Sequence, residues 1–263
     1  MAPDARVGKL WIGTNWKMHK TLAEGQAYCS ELMRVAENLH PDIELFVIPP
    51  HTHLHALKTL MARSRVRLGA QNMHWEDEGP YTGEISPRML AEIGLDLIEL
   101  GHSERRQYYN ENDADINRKV HAALSHNLRP LVCVGETAEQ RKFGITEEVL
   151  AIQLKIGLSG LSREQAEQVL IAYEPVWAIG AGGVAAEPGY VEDVHGCIRR
   201  LLAALFGESG HRIPILYGGS VSESNFETYL DRRNVNGLFI GRAAWDIGRF
   251  SRILLAVHRR MSA

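Results

Sequence analysis

The sequence predicts an α/β fold in which eight strand–helix units close into one (β/α)8 barrel over residues 1–263. Three observations carry this. Short, almost continuously apolar runs recur along the chain, as strands buried on both faces require. Longer segments with apolar residues at three- and four-residue spacing separate them, the pattern of amphipathic helices. The alternation runs on without a long linker, a low-complexity tract or a break in composition, and 263 residues is an ordinary length for eight such units in one domain.

In chain order, the first strand is read at residues 10–16 and is followed by a helix at 22–38. The second and third strands are read at 43–48 and 66–70. The fourth is placed at 97–101 and leads, after a polar stretch, to a helix at 113–126. Strand five at 131–134 precedes a helix at 147–157, and strand six at 169–174 precedes one at 190–206. The seventh and eighth strands are read at 213–217 and 237–240, with a closing helix at 246–259. Burial on both faces implies parallel pairing, and eight units favour a closed barrel over an open doubly wound sheet.

Composition narrows the function. A hydrophobic fraction of 45% and a charged fraction of 23% describe a globular chain with a sizeable core. The net charge is −3 with the cations dispersed, so no basic stripe points to nucleic acid or to an anionic membrane. Cys29, Cys133 and Cys197 are too far apart for a disulfide framework or a C-x-x-C pair, and the first residues lack the apolar run of a secretory signal. A cytoplasmic protein acting on a small molecule is expected.

In a barrel, reacting groups belong at or just after the C-terminal ends of strands, where the loops converge. Asn15 and Lys17 close the first strand, His102 follows the fourth, Glu174 ends the sixth, and glycine-rich segments end the seventh and eighth. A Glu, a His, a Lys and an Asn at one mouth suit acid–base chemistry on an anionic carbonyl compound. Gly218-Gly219-Ser220 is either an anion-binding turn or an ordinary strand-to-helix turn. Gly180-Ala181-Gly182-Gly183 is either a plain connection or a mobile lid. His51, His53 and His55 alternate after Pro49-Pro50, but no second ligand cluster accompanies them, so no metal is expected, nor any cofactor. Cys133 lies in an apolar strand and is read as a buried small residue.

Seven strings sharpen this: Asn15-Trp-Lys-Met18, Ala70-Gln-Asn72, Tyr81-Thr-Gly-Glu84, Leu100-Gly-His-Ser-Glu-Arg-Arg106, Cys133-Val-Gly-Glu136, Ala172-Tyr-Glu-Pro-Val-Trp-Ala-Ile-Gly180 and Tyr217-Gly-Gly-Ser-Val221. In order and in strand-end position they resemble the motifs of the triosephosphate isomerase family, across nearly the whole chain. The resemblance implies a TIM barrel and an isomerase that moves a proton between adjacent carbons through an enediolate, as in glycolysis and gluconeogenesis. It makes Glu174 the base, His102 the neutral imidazole that polarises the carbonyl, and Lys17 the cation beside the developing charge, a tuned pair and cation for which triosephosphate isomerase is itself the standard illustration. Asn15 then orients substrate and Glu104 supports the catalytic groups, a role equally open to an ordinary ion pair. Phosphate contacts are implied at Gly180, Ser220 and Gly241, a closing lid at residues 175–181, and a homodimer in which the Thr82 loop docks near Met18 of a second copy.

The chain also departs from that family. Arg242 stands where a second glycine is usual and adds a cation to the phosphate end. Ala181-Gly182-Gly183 replaces a Thr-Gly-Lys tripeptide of the lid, adding backbone freedom. His19 replaces an asparagine, and Trp75 and Trp245 add bulk near strand ends. An intact proton-transfer set with altered surroundings leaves two phosphorylated sugars as substrate. Triose phosphate, interconverting D-glyceraldehyde 3-phosphate and dihydroxyacetone phosphate, is the leading expectation. The strings Gln71-Asn-Met-His-Trp75, Gly83-Glu-Ile-Ser-Pro87 and Gly241-Arg-Ala-Ala-Trp245 resemble instead a bacterial branch that isomerises L-erythrulose 1-phosphate to D-erythrulose 4-phosphate in erythritol breakdown. A barrel that binds phosphate without turnover is the reading from another class.

Overall fold

Strands β1 (Leu10–Asn15), β2 (Ile43–Ile48), β3 (Arg67–Ala70), β4 (Leu97–Leu100), β5 (Arg129–Val134), β6 (Leu170–Tyr173), β7 (Ile215–Tyr217) and β8 (Gly237–Phe239) form a closed parallel barrel in sequence order. This is a computed structural model that describes residues 8–180 and 182–262; the first seven residues, read above for targeting, and Ala181 of the lid lie outside them. Closure is made by β1 against β8, with Trp11 opposite Gly237 and Gly13 opposite Phe239. Among the described residues no helix is long and apolar enough to cross a membrane.

The apolar residues divide into two layers. Inside the barrel, Trp11, Phe46, Leu97, Leu131, Leu170, Leu216 and Phe239 pack together, with Ile48, Cys133 and Ala172 nearer the mouth. Between barrel and helices lies the larger layer, in which Leu10, Ile12, Leu45, Val47, Ile98, Ile171 and Leu238 meet the helical faces. The alternation of strand side chains sorts them: one residue points in, the next out.

Helix Leu22–Ala36 begins where Thr21 caps the backbone N–H of Glu24 while the Glu24 carboxylate accepts from the Thr21 N–H, a reciprocal capping box. Asn112 and Asp115 do the same for helix Asp113–Ser125. Helix Pro188–Phe206 buries Val191, Val194, Ile198, Leu202 and Phe206 along one face, the spacing that marked it in the sequence. Burying each such side chain contributes roughly 1.5–3 kcal/mol before the entropy of ordering is counted.

Several bounds differ from the expected ones. Strand β5 starts at Arg129 and takes in Pro130, opposite Ile98. A proline that opens a strand forfeits only the amide hydrogen, which costs little at that end. Strands β3, β6 and β7 start one or two residues later than read, because Val66, Val169 and Ile213 are buried without belonging to the ladder. His51 and His53 are held separately: the His51 ring donates to Asn72 O at 2.7 Å and the His53 ring to Lys20 O at 3.1 Å.

Candidate active site

The same alternation builds the mouth. On β4 Leu97 points inward, so Glu99 does too; on β1 the inward series ends at Asn15, and Glu174 follows Ala172 by two residues. The C-terminal ends of the strands surround a cleft of about 820 Å3. Asn15, Lys17, His102, Glu104, Glu174, Gly180, Ser220, Gly241 and Arg242 all line it. The structure therefore brings together every residue the sequence singled out for the site. His19, Trp245 and Arg249 line it as well.

Lys17 is placed by backbone that resists its residue type. Its φ is 52°, a left-handed conformation unusual for a side chain with a Cβ. The turn is held from both sides: Lys17 N–H donates to Asn15 Oδ1 at 2.6 Å, and Gln71 Nε2 donates to Lys17 O at 2.8 Å and Asn15 Oδ1 at 3.0 Å. Trp245 adds a third tie, its Nε1 donating to Asn15 O at 2.9 Å. Thus directed, the ammonium of Lys17 meets Glu104 Oε1 at 2.6 Å.

His102 caps helix Ser103–Tyr108, its Nδ1 accepting the Glu104 amide N–H at 3.1 Å. A ring whose Nδ1 accepts carries its proton on Nε2, so the nitrogen facing the cleft is a donor. Burial lowers the pKa of His102; the Glu174 charge opposes this, and Lys17 adds to it. The ring is thereby kept neutral. Its Nε2 lies 3.8 Å from Glu174 Oε2.

Glu174 follows β6, its amide donating to Val134 O at 2.8 Å. Its side chain is almost wholly enclosed, and Oε2 has no hydrogen-bond partner. Gly218 forms the wall behind it, and a Cβ there would come within 2.6 Å of Glu174 Cγ. Gly218→Ala is accordingly expected to push the carboxylate aside and lower kcat by about 10²-fold, the typical effect of a 1 Å misplacement. An unchanged kcat in that variant would show the contact to be harmless.

Beneath the mouth lies Glu99, which the motifs did not reveal. It is fully buried, accepts from Asn15 Nδ2 at 2.7 Å, and lies 3.7 Å from the Cys133 thiol. Burial, and then the neighbouring Glu174 charge, raise its pKa well above the carboxylate range. Glu99, His102 and Glu174 present donor atoms within 4.8 Å of one another. Because the cleft-facing nitrogen of His102 is protonated, the trio suits proton exchange better than coordination of a cation. Cys133 is buried as expected, and burial beside Glu174 and Glu99 pushes its thiol pKa well up.

The segment expected to form a lid leaves β6 through a short turn at Val176–Ala178. Buried Glu136 anchors it, accepting from Trp177 Nε1 at 2.8 Å, Tyr173 Oη at 3.1 Å and Tyr190 Oη at 2.8 Å. Ser220 Oγ donates to Ala178 O at 2.7 Å, tying the seventh-strand loop to the lid. At Gly183 the expected backbone freedom gives way to close packing, since a Cβ there would lie 2.7 Å from the Ala178 carbonyl.

A sequence model of the triosephosphate isomerase family matches residues 10–257. The L-erythrulose-1-phosphate isomerase of Rhizobium rhizogenes strain K84 is 45% identical, over 94% of this chain and 94% of its own. That of Brucella abortus biovar 1 is 43% identical over 97% of this chain and 99% of its own. Among solved structures, triosephosphate isomerase from Bartonella henselae superposes with a TM-score of 0.85 at 37% identity, covering 95% of this chain and 99% of that one.

Proposed function

The chain belongs to the triosephosphate isomerase family and is an isomerase of that type; from that premise we propose that it converts L-erythrulose 1-phosphate into D-erythrulose 4-phosphate. The observation that carries the choice of sugar is the 43–45% identity, over nearly the full length, to relatives named L-erythrulose-1-phosphate isomerase. It tips the balance from the triose phosphate that the family motifs alone favour. The three strings around Trp75, Ser86 and Trp245 support the same branch.

The chemistry is common to both sugars. A carbonyl at C2 and a hydroxyl at C3 exchange places; the tetrulose carries a hydroxymethyl group on C3 where dihydroxyacetone phosphate carries hydrogen. Glu174 takes the C3 proton as a carboxylate, and the C–H electron pair becomes the C2–C3 double bond. The carbonyl electrons move to the C2 oxygen, which receives the proton from His102 Nε2. The C3 hydroxyl then returns a proton to His102, its oxygen forms the new carbonyl, and Glu174 delivers its proton to C2. Atoms and charge balance, and no outside oxidant or reductant is needed.

Each role rests on placement. The protonated, neutral Nε2 of His102 suits a donor to oxygen. Lys17 stands where negative charge would develop on the two oxygens, with Glu104 holding its ammonium in place. Asn15 orients substrate from beneath. Gly180, Ser220 and Gly241 would take the phosphate, with the exposed cations Arg242 and Arg249 beside them. Lid closure over that end would exclude water from the enediolate.

The reading takes residues 1–263 as one barrel domain acting as a homodimer in the cytoplasm. Met18 is 94% exposed at the rim of the mouth, and the loop bearing exposed Thr82 is braced by the His74 ring, stacked on Trp75 at 4.2 Å and tilted against Tyr81 at 4.1 Å. A second copy would cover that methionine. Three free, buried cysteines support a reducing compartment.

The test is kcat/KM for L-erythrulose 1-phosphate against D-glyceraldehyde 3-phosphate, with Glu174→Gln protein as background. A preference for the tetrulose of roughly 10- to 200-fold is expected, the range one extra group in a fitted pocket provides. Preference for the triose would return the protein to glycolytic chemistry, and binding of both sugars without turnover would favour a scaffold.

A further inference from the structure

The reaction set out above assigns no task to Glu99, although its carboxyl is wholly buried beside the reacting groups. An enclosed carboxylate is costly unless a cation pairs with it. Here the nearby ammonium of Lys17 is engaged by Glu104 at 2.6 Å, and the hydrogen-bond partners of Glu99 are the neutral Asn15 amide and Cys133 thiol. Glu99 and Glu174 offer carboxylate oxygens within 4.8 Å of each other, while Glu174 Oε2 is a buried acceptor with nothing to accept from. Two carboxyls, one idle acceptor and an ammonium already paired with Glu104 fit a pair that holds a single proton.

We propose, on the basis of the isomerase reading above, that Glu99 is a positioning residue for the proton transfer, remaining a carboxylic acid that directs its O–H toward Glu174 Oε2 while its other oxygen fixes the Asn15 amide. The base is thereby tied from within the barrel, and the two carboxyls work with one shared proton. The direction of the Glu99 titration agrees: burial first and the Glu174 charge second favour the acid, against the opposing pull of Asn15, Lys17 and Cys133. The groups facing the pair are Asn15 and Lys17 from the first strand and its loop, His102 after the fourth, and Cys133 from the fifth.

Loss of the Glu99 proton sets two like charges together. Activity should fall with that step. Stability follows the same proton. In the unfolded chain Glu99 ionises at the ordinary carboxylate value of 4.5, whereas the folded protein keeps the proton to higher pH. Between those values only the folded state binds it, so stability is greatest below the unfolded value and declines as pH rises toward the folded one.

Glu99→Gln preserves the size and the neutral hydrogen-bonding directions but removes the proton that can be shared. We expect kcat to fall about tenfold with KM within about twofold, the high-pH limb of kcat/KM to move upward, and the decline of Tm with rising pH to flatten. Infrared spectra should show a carboxylic-acid carbonyl band at neutral pH in the wild-type protein, lost on raising the pH and missing from the variant. Should the variant fail to fold, that band in the wild type decides by itself. Superimposable pH profiles, or a wild-type spectrum with ionised carboxylates alone, overturn the proposal. So does activity abolished by chelation and restored by a divalent cation, which would make the trio a metal site. The infrared and melting measurements need no turnover, so failure of the isomerase reading would show as absent turnover of both sugars whatever the state of Glu99.

Discussion

Glu174→Gln is expected to lower kcat about 10³- to 10⁴-fold while KM stays within a few-fold. In the proposed reaction the Glu174 carboxylate takes the carbon-bound proton, and an amide of the same shape has no basic oxygen of comparable strength. Substrate binding, in the proposed reaction, rests instead on the loops that carry Ser220, Gly241 and Arg242, which line the same cleft. The substitution also removes a charge from an almost wholly enclosed place beside Glu99, so Tm should hold or rise. Steady-state kinetics and a melting curve on the same preparation check both halves. Retention of more than a tenth of wild-type kcat would mean that another group removes the proton.

Lys17→Met is the other large effect, with kcat/KM expected to fall by about 10²- to 10³-fold, the scale for losing one preorganised donor to developing charge. Here KM should rise as well, because the sugar phosphate is already an anion when it binds. The loss should not be recovered by Lys17→Arg. A guanidinium is broader than an ammonium, and the left-handed turn at Lys17, pinned by Asn15, Gln71 and Trp245, leaves the backbone no freedom to accommodate it. Equal kinetic constants for the methionine variant and the wild type would remove Lys17 from the reaction and leave it a partner of Glu104.

The strands were legible because each is largely apolar on both faces, and this is why all eight are present, with bounds shifted by a residue or two. The long helices were legible for the opposite reason: segments such as Pro188–Phe206 run for several turns and repeat their buried face. Short ones were not. Phe226–Leu230 and Glu208–Arg212 span little more than a turn each, too few residues to display a period. In the mouth, Glu174, His102 and Lys17 stood out as polar residues at strand ends. Glu99 did not, since a glutamate in Leu97-Ile-Glu-Leu100 attracts no motif. A signal was present nonetheless: two residues beyond inward-facing Leu97 in a strand covered on both sides, a charge has nowhere to go but the barrel interior. Arg249 offered nothing comparable, because one arginine in a surface helix looks like any other until the helix is placed against the mouth.

The closed ladder is uneven around its circumference. Strands β1 and β2 face each other from Leu10–Ile43 to Asn15–Ile48, and β4 pairs β5 from Leu97–Arg129 to Leu100–Val132. Between β7 and β8 only Leu216–Gly237 and Tyr217–Leu238 are in register. Lys17 follows the six-residue β1, and His102 and Glu174 follow strands of four residues, while the loops that carry Ser220 and Gly241 hang from the three-residue β7 and β8. Because β8 pairs with β1 and β7 and not with β6, a substitution in the loop carrying Arg242 can change how an anion is held without touching the strand that places Glu174, so grip and base can be altered independently.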